Sequence, residues 1–186
     1  MSQLAVLVFH EDAENKPLAF KTSEDRAKLA YEEIQRLAKD DKMAVESGTI
    51  VIKDEFGRVK IRKTSEWSVK KGAGRGAFWG LLVGLIFAGP LLGLLGGLGL
   101  GALLGGRKHQ PIDRDFMKGL SEGMKPNEAA LFLLVQESNA ATLEELQSFD
   151  ATFYTTVLTD DVKEAIDNAA KHEEVLAAVE IESDES

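Results

Sequence analysis

The sequence predicts an α+β fold: a ferredoxin-like sandwich of antiparallel or mixed sheet and helices, interrupted by a glycine-zipper helical hairpin. Three observations predict it. Short apolar runs rich in β-formers alternate with segments whose apolar residues recur at helical spacing. One uncharged stretch of 28 residues, Ala77–Leu104, separates those segments into two groups. Glycine recurs every four residues within and beside that stretch.

The elements follow in order. Leu4–Phe9 (LAVLVF) reads as a buried strand. Thr22 or Ser23 caps a helix near Glu24–Asp41, with Ala27, Ala30, Tyr31, Ile34, Leu37 and Ala38 on its apolar stripe. Gly48 opens a second strand, Thr49–Lys53. Asp54–Gly57 is a turn, and Arg58–Lys63 returns with Val59 and Ile61 on one side. Beyond the uncharged stretch, Ile112–Met124 is a short helix with Asp113 near its start, ended by Pro126. Ala129–Val135 (AALFLLV) is a buried strand, Thr142–Phe149 a helix and Thr152–Leu158 (TFYTTVL) a strand. Thr159 or Asp160 caps a last helix carrying Val162, Ala165, Ile166, Ala169 and Leu176 inward. Residues 1–70 and 109–178 are then two halves of one α+β domain, 71–108 is the inserted hairpin, and 179–186 is an acidic tail.

The glycines of the insert are ordered. Gly72, Gly76, Gly80 and Gly84 form one series, and Gly89, Gly93, Gly97, Gly101 and Gly105 a second. A four-residue period keeps small residues near one helix face, where another backbone can approach closely. The five-residue step between the series, with Pro90 just after it, marks the expected hairpin break at Gly89 and Pro90. Each arm is shorter than a hydrocarbon core of about 30 Å, and one continuous helix is longer. Glycine lowers helix propensity by roughly 1 kcal/mol per residue, so close helix packing must offset it. A single kinked span, a buried core helix pair and a flexible glycine linker are the alternatives; interleaved Leu, Phe and Ile argue against the linker.

Charge sorts the 186 residues further. The net is −3 over residues 1–52, +7 over 53–118 and −13 over 119–186. Lys70, Lys71 and Arg75 stand before the uncharged stretch, and Arg107 and Lys108 after it, as lipid headgroup contacts. Basic flanks on both sides place both ends on the cytoplasmic side. Trp67 and Trp79 suit an interfacial position. An overall −9 argues against nucleic acid as a partner. The absence of cysteine excludes a disulfide scaffold and thiolate chemistry. The opening residues lack a basic region and small-residue cleavage site, so they do not read as a signal peptide.

The stretches Gly74–Gly93 (GRGAFWGLLVGLIFAGPLLG), Pro111–Leu120 (PIDRDFMKGL) and Met124–Val135 (MKPNEAALFLLV) resemble a bacterial family, the domain of unknown function twelve sixty-nine, usually labelled a predicted membrane protein. The likeness runs from about residue 4 to about residue 178. It implies an α+β domain interrupted by a glycine-zipper hairpin, and no activity. The loop His10–Lys21 and the acidic tail are longer than in typical members.

Sites of chemistry are sparse. Gly72-Ala73-Gly74-Arg75-Gly76-Ala77 fits a dinucleotide fingerprint by spacing, but polar residues precede it and no acid follows at the ribose position. No cofactor is expected. His10, His109 and His172 lack ligand spacing, so no metal is expected. Glu144-Glu145, Asp160-Asp161 and Glu173-Glu174 read as solvated helix faces, and no catalytic residue is assigned. The expected protein is non-enzymatic and membrane-associated, binding lipid and assembling with copies of itself through the hairpin. Its α+β domain is a scaffold or a head for an unspecified protein partner. The alternative is a soluble homo-oligomeric shell or hydrophobic-ligand carrier with the hairpin buried in protein.

Overall fold

A computed structural model of the chain describes residues 2–11, 22–62, 75–95, 112–136, 140–168 and 171. The chain divides into two compact units: Met1–Lys70 with Ile112–Leu158, and Lys71–Pro111 with Thr159–Ser186. The sequence reading carried the α+β domain to residue 178; the first unit ends at Leu158, where the last strand ends. The described residues form five strands and five helices.

The first unit holds β1 (Ser2–Phe9), α1 (Ser23–Lys39), β2 (Val45–Lys53), β3 (Val59–Arg62), α3 (Arg114–Gly123), β4 (Ala129–Gln136), α4 (Ala140–Gln147) and β5 (Thr152–Leu158). The strands make one sheet, ordered β3-β2-β4-β1-β5, antiparallel at every junction. The α+β class therefore stands, with a sheet that is wholly antiparallel. At its centre β1 and β4 pair along their full length, from Ser2 opposite Gln136 to Phe9 opposite Ala129. Both strands are apolar at successive positions, and the pleat sends neighbours to opposite faces. One face carries Ala5, Leu7, Phe9, Leu131, Leu133 and Val135, which form a core with Ala27, Ala30, Tyr31 and Ile34 of α1 and Leu146 of α4. The other face carries Leu4, Val6, Val8, Val51, Phe132 and Leu134, none more than 3% exposed.

Local chemistry sets the helix starts. Thr22 Oγ1 accepts from Asp25 N at 3.1 Å at the head of α1, and Asp113 accepts from Phe116 N at 2.7 Å at the head of α3. Ile112, Phe116 and Leu120 are buried, as their spacing predicts. α3 ends at Gly123, before Pro126. Lys53 Nζ closes that end, donating to Ser121 O at 3.2 Å and Met124 O at 2.8 Å. A cation there also meets the negative end of the helix dipole. The strand expected from Thr49 begins at Val45. Glu46, Ser47 and Gly48 look like loop residues, yet a bulge between Val45 and Ser47 lets the strand keep pairing with β4.

The β2–β3 turn is built on one carboxylate. Asp54 Oδ1 accepts from Phe56 N at 3.0 Å and Arg58 N at 2.9 Å. Its Oδ2 meets Arg58 Nε at 2.9 Å and Lys60 Nζ at 3.2 Å. Gly57 takes φ 77°, the left-handed region that closes the turn. Desolvation opposes ionisation of Asp54, but the Arg58 N–H, the Lys60 and Arg58 side-chain hydrogen bonds and the Arg58 charge outweigh it, lowering its pKa from 3.8 to about 2.

The second unit contains α2 (Arg75–Leu95) and α5, helical over residues 160–168. Side chains of α2 are described over 77–87. Phe78, Trp79, Leu82, Val83 and Ile86 are buried, and Phe78 meets Trp79 edge-to-face at 5.5 Å. Trp79, read as an interfacial anchor, is 4% exposed. In α5, Thr159 O receives Val162 N and Lys163 N, and Val162 and Ile166 are buried. One expectation needs correction. The hairpin break assigned to Gly89 and Pro90 is absent, because the helix backbone runs through both to Leu95. Proline removes one N–H and can kink a helix, but an apolar run beyond it still favours closing the remaining backbone bonds internally. The second arm beyond Leu95 lies outside the described residues. Among the described residues no helix is long and apolar enough to cross a membrane.

Two measurements test these packing claims. The folded pKa of Asp54 lies below its unfolded value, so its contribution is complete above about pH 4 and is lost as pH falls through 2. Asp54→Asn should melt below the parent at neutral pH, with the gap closing between about pH 4 and pH 2 in paired thermal melts. On α3, an added Cβ at Gly119 makes ordinary contact with Tyr154 Cε1 at 3.7 Å, whereas at Gly123 it collides with Tyr154 Oη. Gly119→Ala should stabilise by about 0.5–1 kcal/mol and Gly123→Ala destabilise by about 1–3 kcal/mol, read by urea unfolding. Tyr154→Phe should recover part of the second loss.

Candidate functional site

Strand register builds a polar clasp at one end of the sheet. Phe9 lies opposite Ala129, so the next residues outward, His10 and Glu128, meet each other. Thr152 lies opposite Val8, two residues before His10, and therefore shares its face. His10 Nδ1 is 2.9 Å from Glu128 Oε1, and His10 Nε2 is 2.7 Å from Thr152 Oγ1. The Glu128 side chain is 4% exposed, and that of His10 37%. Lys125 N donates to Glu128 Oε2 at 2.7 Å, so both carboxylate oxygens have donors. A carboxylate only accepts, which makes Nδ1 the protonated nitrogen of a neutral His10 and leaves Nε2 to accept from Thr152.

Arg26 ties α1 into the same end. Its guanidinium donates to His10 O at 2.8 Å and to Asp150 O, pairs with Asp150 Oδ2 at 3.3 Å, and lies over the Phe9 ring. Ser23 Oγ donates to Asn127 O at 2.9 Å. Asn127 itself takes φ 66°, turning the chain so that its N–H reaches Lys53 O. The clasp thus joins the ends of β1, β4 and β5 to the head of α1.

Hydroxyl, imidazole and carboxylate in this order can pass a proton from Thr152 to His10 while Glu128 orients the ring. Arg26 is bonded to His10 O and Asp150, and the arrangement forms a hydrogen-bonded closure of the sheet end. Sequence reasoning missed Glu128 and Thr152 and left His10 as one of three scattered histidines. Only the pairing of residues 118 apart brings His10 to Glu128. Among the described residues no group of three or more His, Asp or Glu is placed to hold a metal ion.

The residues assigned from sequence lie elsewhere. Gly80 is exposed and Gly84 half-buried on α2, and among the described residues nothing lies within 4 Å of a Cβ built at either. Arg75 begins α2, and Gly76, Gly89, Pro90 and Gly93 lie on its backbone. Gly72, Gly97, Gly101, Gly105, Lys70, Lys71, Arg107, Lys108, His109 and His172 lie outside the described residues. α2 thus has two characters along its described length: bulky side chains that are buried, and a glycine side that no described residue approaches within 4 Å.

A family model described as Protein of unknown function (DUF1269) matches residues 73–171, over half of the chain. The chain belongs to this family. The matched region holds α2, α3, β4, α4, β5 and α5, and so Glu128 and Thr152 of the clasp; His10 and Arg26 precede it. No curated protein and no solved structure matches the chain.

His10→Ala leaves a buried carboxylate oxygen without its donor and should cost about 1–3 kcal/mol, while Thr152→Val, at an exposed position, should cost about 0.5–1.5 kcal/mol. Urea unfolding of both variants checks the order; equal losses would contradict the role given to Glu128.

Proposed function

We propose that the chain is a non-enzymatic, membrane-associated protein that assembles with copies of itself through the glycine face of its inserted segment. The α+β unit serves as a scaffold or partner-binding head on the cytoplasmic side. The observation that carries this reading is the glycine side of α2. Phe78, Trp79, Leu82, Val83 and Ile86 are buried, whereas Gly80 and Gly84 stand four residues apart and, among the described residues, nothing lies within 4 Å of a Cβ built at either. Two backbones can approach closely only along such a face. The basic residues Lys70, Lys71, Arg75, Arg107 and Lys108 at the edges of the uncharged stretch suit anionic headgroups.

The sheet order supports a ferredoxin-like reading of the head. β5-β1-β4-β2 is the order that two interleaved β-α-β halves adopt, and β3 adds a fifth strand beyond β2.

A second reading is a soluble homo-oligomeric shell or hydrophobic-ligand carrier. The burial of five bulky apolar side chains of α2 by the chain itself favours it, since a lipid-facing helix would leave such groups outward. Fractionation followed by sizing separates the two. Recovery from membranes only with detergent supports the first reading, and a defined oligomer in detergent-free buffer supports the second. In either case Gly80→Leu and Gly84→Leu should reduce the oligomer to smaller species while the far-ultraviolet spectrum of the sheet unit is kept. Unchanged sizing of both variants would refute assembly through this face.

A further inference from the structure

The two edges of the sheet are guarded unequally. On the β3 edge, Lys60 and Arg62 are exposed and paired to Asp54 and Glu24, and Arg58 stands at the adjoining turn. Charges of this kind keep an edge from pairing with another strand. The β5 edge is the reverse. Thr152–Leu158 contains no charge, no proline and no glycine, and six of its seven residues are β-branched or aromatic. Among the described residues β5 pairs with β1 alone. Thr155 and Val157 are exposed, and Val157 is 49% exposed.

The segment is also complementary to itself. Laid antiparallel on a second copy about Thr155, it sets Phe153 against Val157, Tyr154 against Thr156, and Thr155 against its own counterpart. Aromatic residues then face β-branched ones on both faces, the pairing that stabilises antiparallel strands. Phe153 already packs on the core below α1 and α4, so Val157 of the copy would extend that core across the junction.

We infer that β5 pairs antiparallel with β5 of a second copy, centred on Thr155, to make one continuous ten-stranded sheet. This contact uses neither α2 nor its glycines, and goes beyond the assembly proposed above.

The chain has no cysteine, which makes a clean test possible in the whole 186-residue chain. Opposed residues in an antiparallel pair have Cα atoms about 4.5–5.5 Å apart, within disulfide range. Thr155→Cys should give a reducible dimer on mild oxidation. Thr152→Cys lies opposite Leu158 and about 20 Å from its own counterpart at roughly 3.4 Å per residue, so it should cross-link at least about tenfold less. Thr155→Lys and Thr155→Asp should each weaken the dimer in sizing, and their equimolar mixture should restore it, a result that misfolding cannot produce. Equal cross-linking at 152 and 155, no cross-link at 155, or no recovery in the mixture overturns the pairing. In a Gly80→Leu/Gly84→Leu background the 155 cross-link should persist. Loss of the 155 cross-link while the helix-face assembly is intact counts against this contact alone, and the converse against the proposed function alone.

Discussion

The pairing of β1 with β4 is the constraint on which the rest of the structure depends. It joins the beginning of the chain to a segment that follows the whole inserted region, with Phe9 opposite Ala129. Closing so long a loop costs little more than closing one half its length, because the entropy grows only with the logarithm of loop size. Burial compensates for that cost on both faces. Leu4, Val6, Val8, Phe132 and Leu134 are withdrawn from water on one side, and Leu7, Leu131, Leu133 and Val135 on the other. A one-residue slip would exchange these sets and dismantle the core under α1 and α4, so the register is strongly specified. A long insert can then enter the sequence between β3 and α3 without altering the sheet.

The same register sets the polar chemistry. Where the apolar pairing stops, His10 and Glu128 are the next residues opposite each other, and Thr152 joins them from the third strand. His10 meets the hydrogen-bonding need that burial of the Glu128 carboxylate creates. Arg26 then carries the closure to α1 through His10 O and Asp150. Lys53 does comparable work at the end of α3. Charges therefore gather at the sheet ends and on the β3 edge, and the β5 edge is left neutral.

Much of this was legible one element at a time. Thr152–Leu158 matches its predicted strand at both ends, and the capping residues Thr22 and Asp113 stand where the sequence put them. Period-two and helical patterns are local, and a strong local pattern survives folding. β2 was read too short, because Glu46, Ser47 and Gly48 carry turn chemistry that strand pairing overrode. Gly89 and Pro90 were read as a break, because punctuation residues end helices in water; the apolar run around them carries the helix on to Leu95. The clasp had no local signal at all, since its three residues are ordinary in isolation.

The sequence by itself determined which segments are strands and helices, the charge and glycine patterning of the insert, and the family to which the chain belongs. These are properties of neighbours along the chain, where spacing alone sets the outcome. Tertiary structure decided which strands are neighbours, which edge carries cations and which carries no charge, and that a histidine and a glutamate 118 residues apart lie within hydrogen-bond distance. Those outcomes depend on packing between distant segments. The free energy that selects them comes from closing two apolar faces at once, a sum that no single stretch of residues contains.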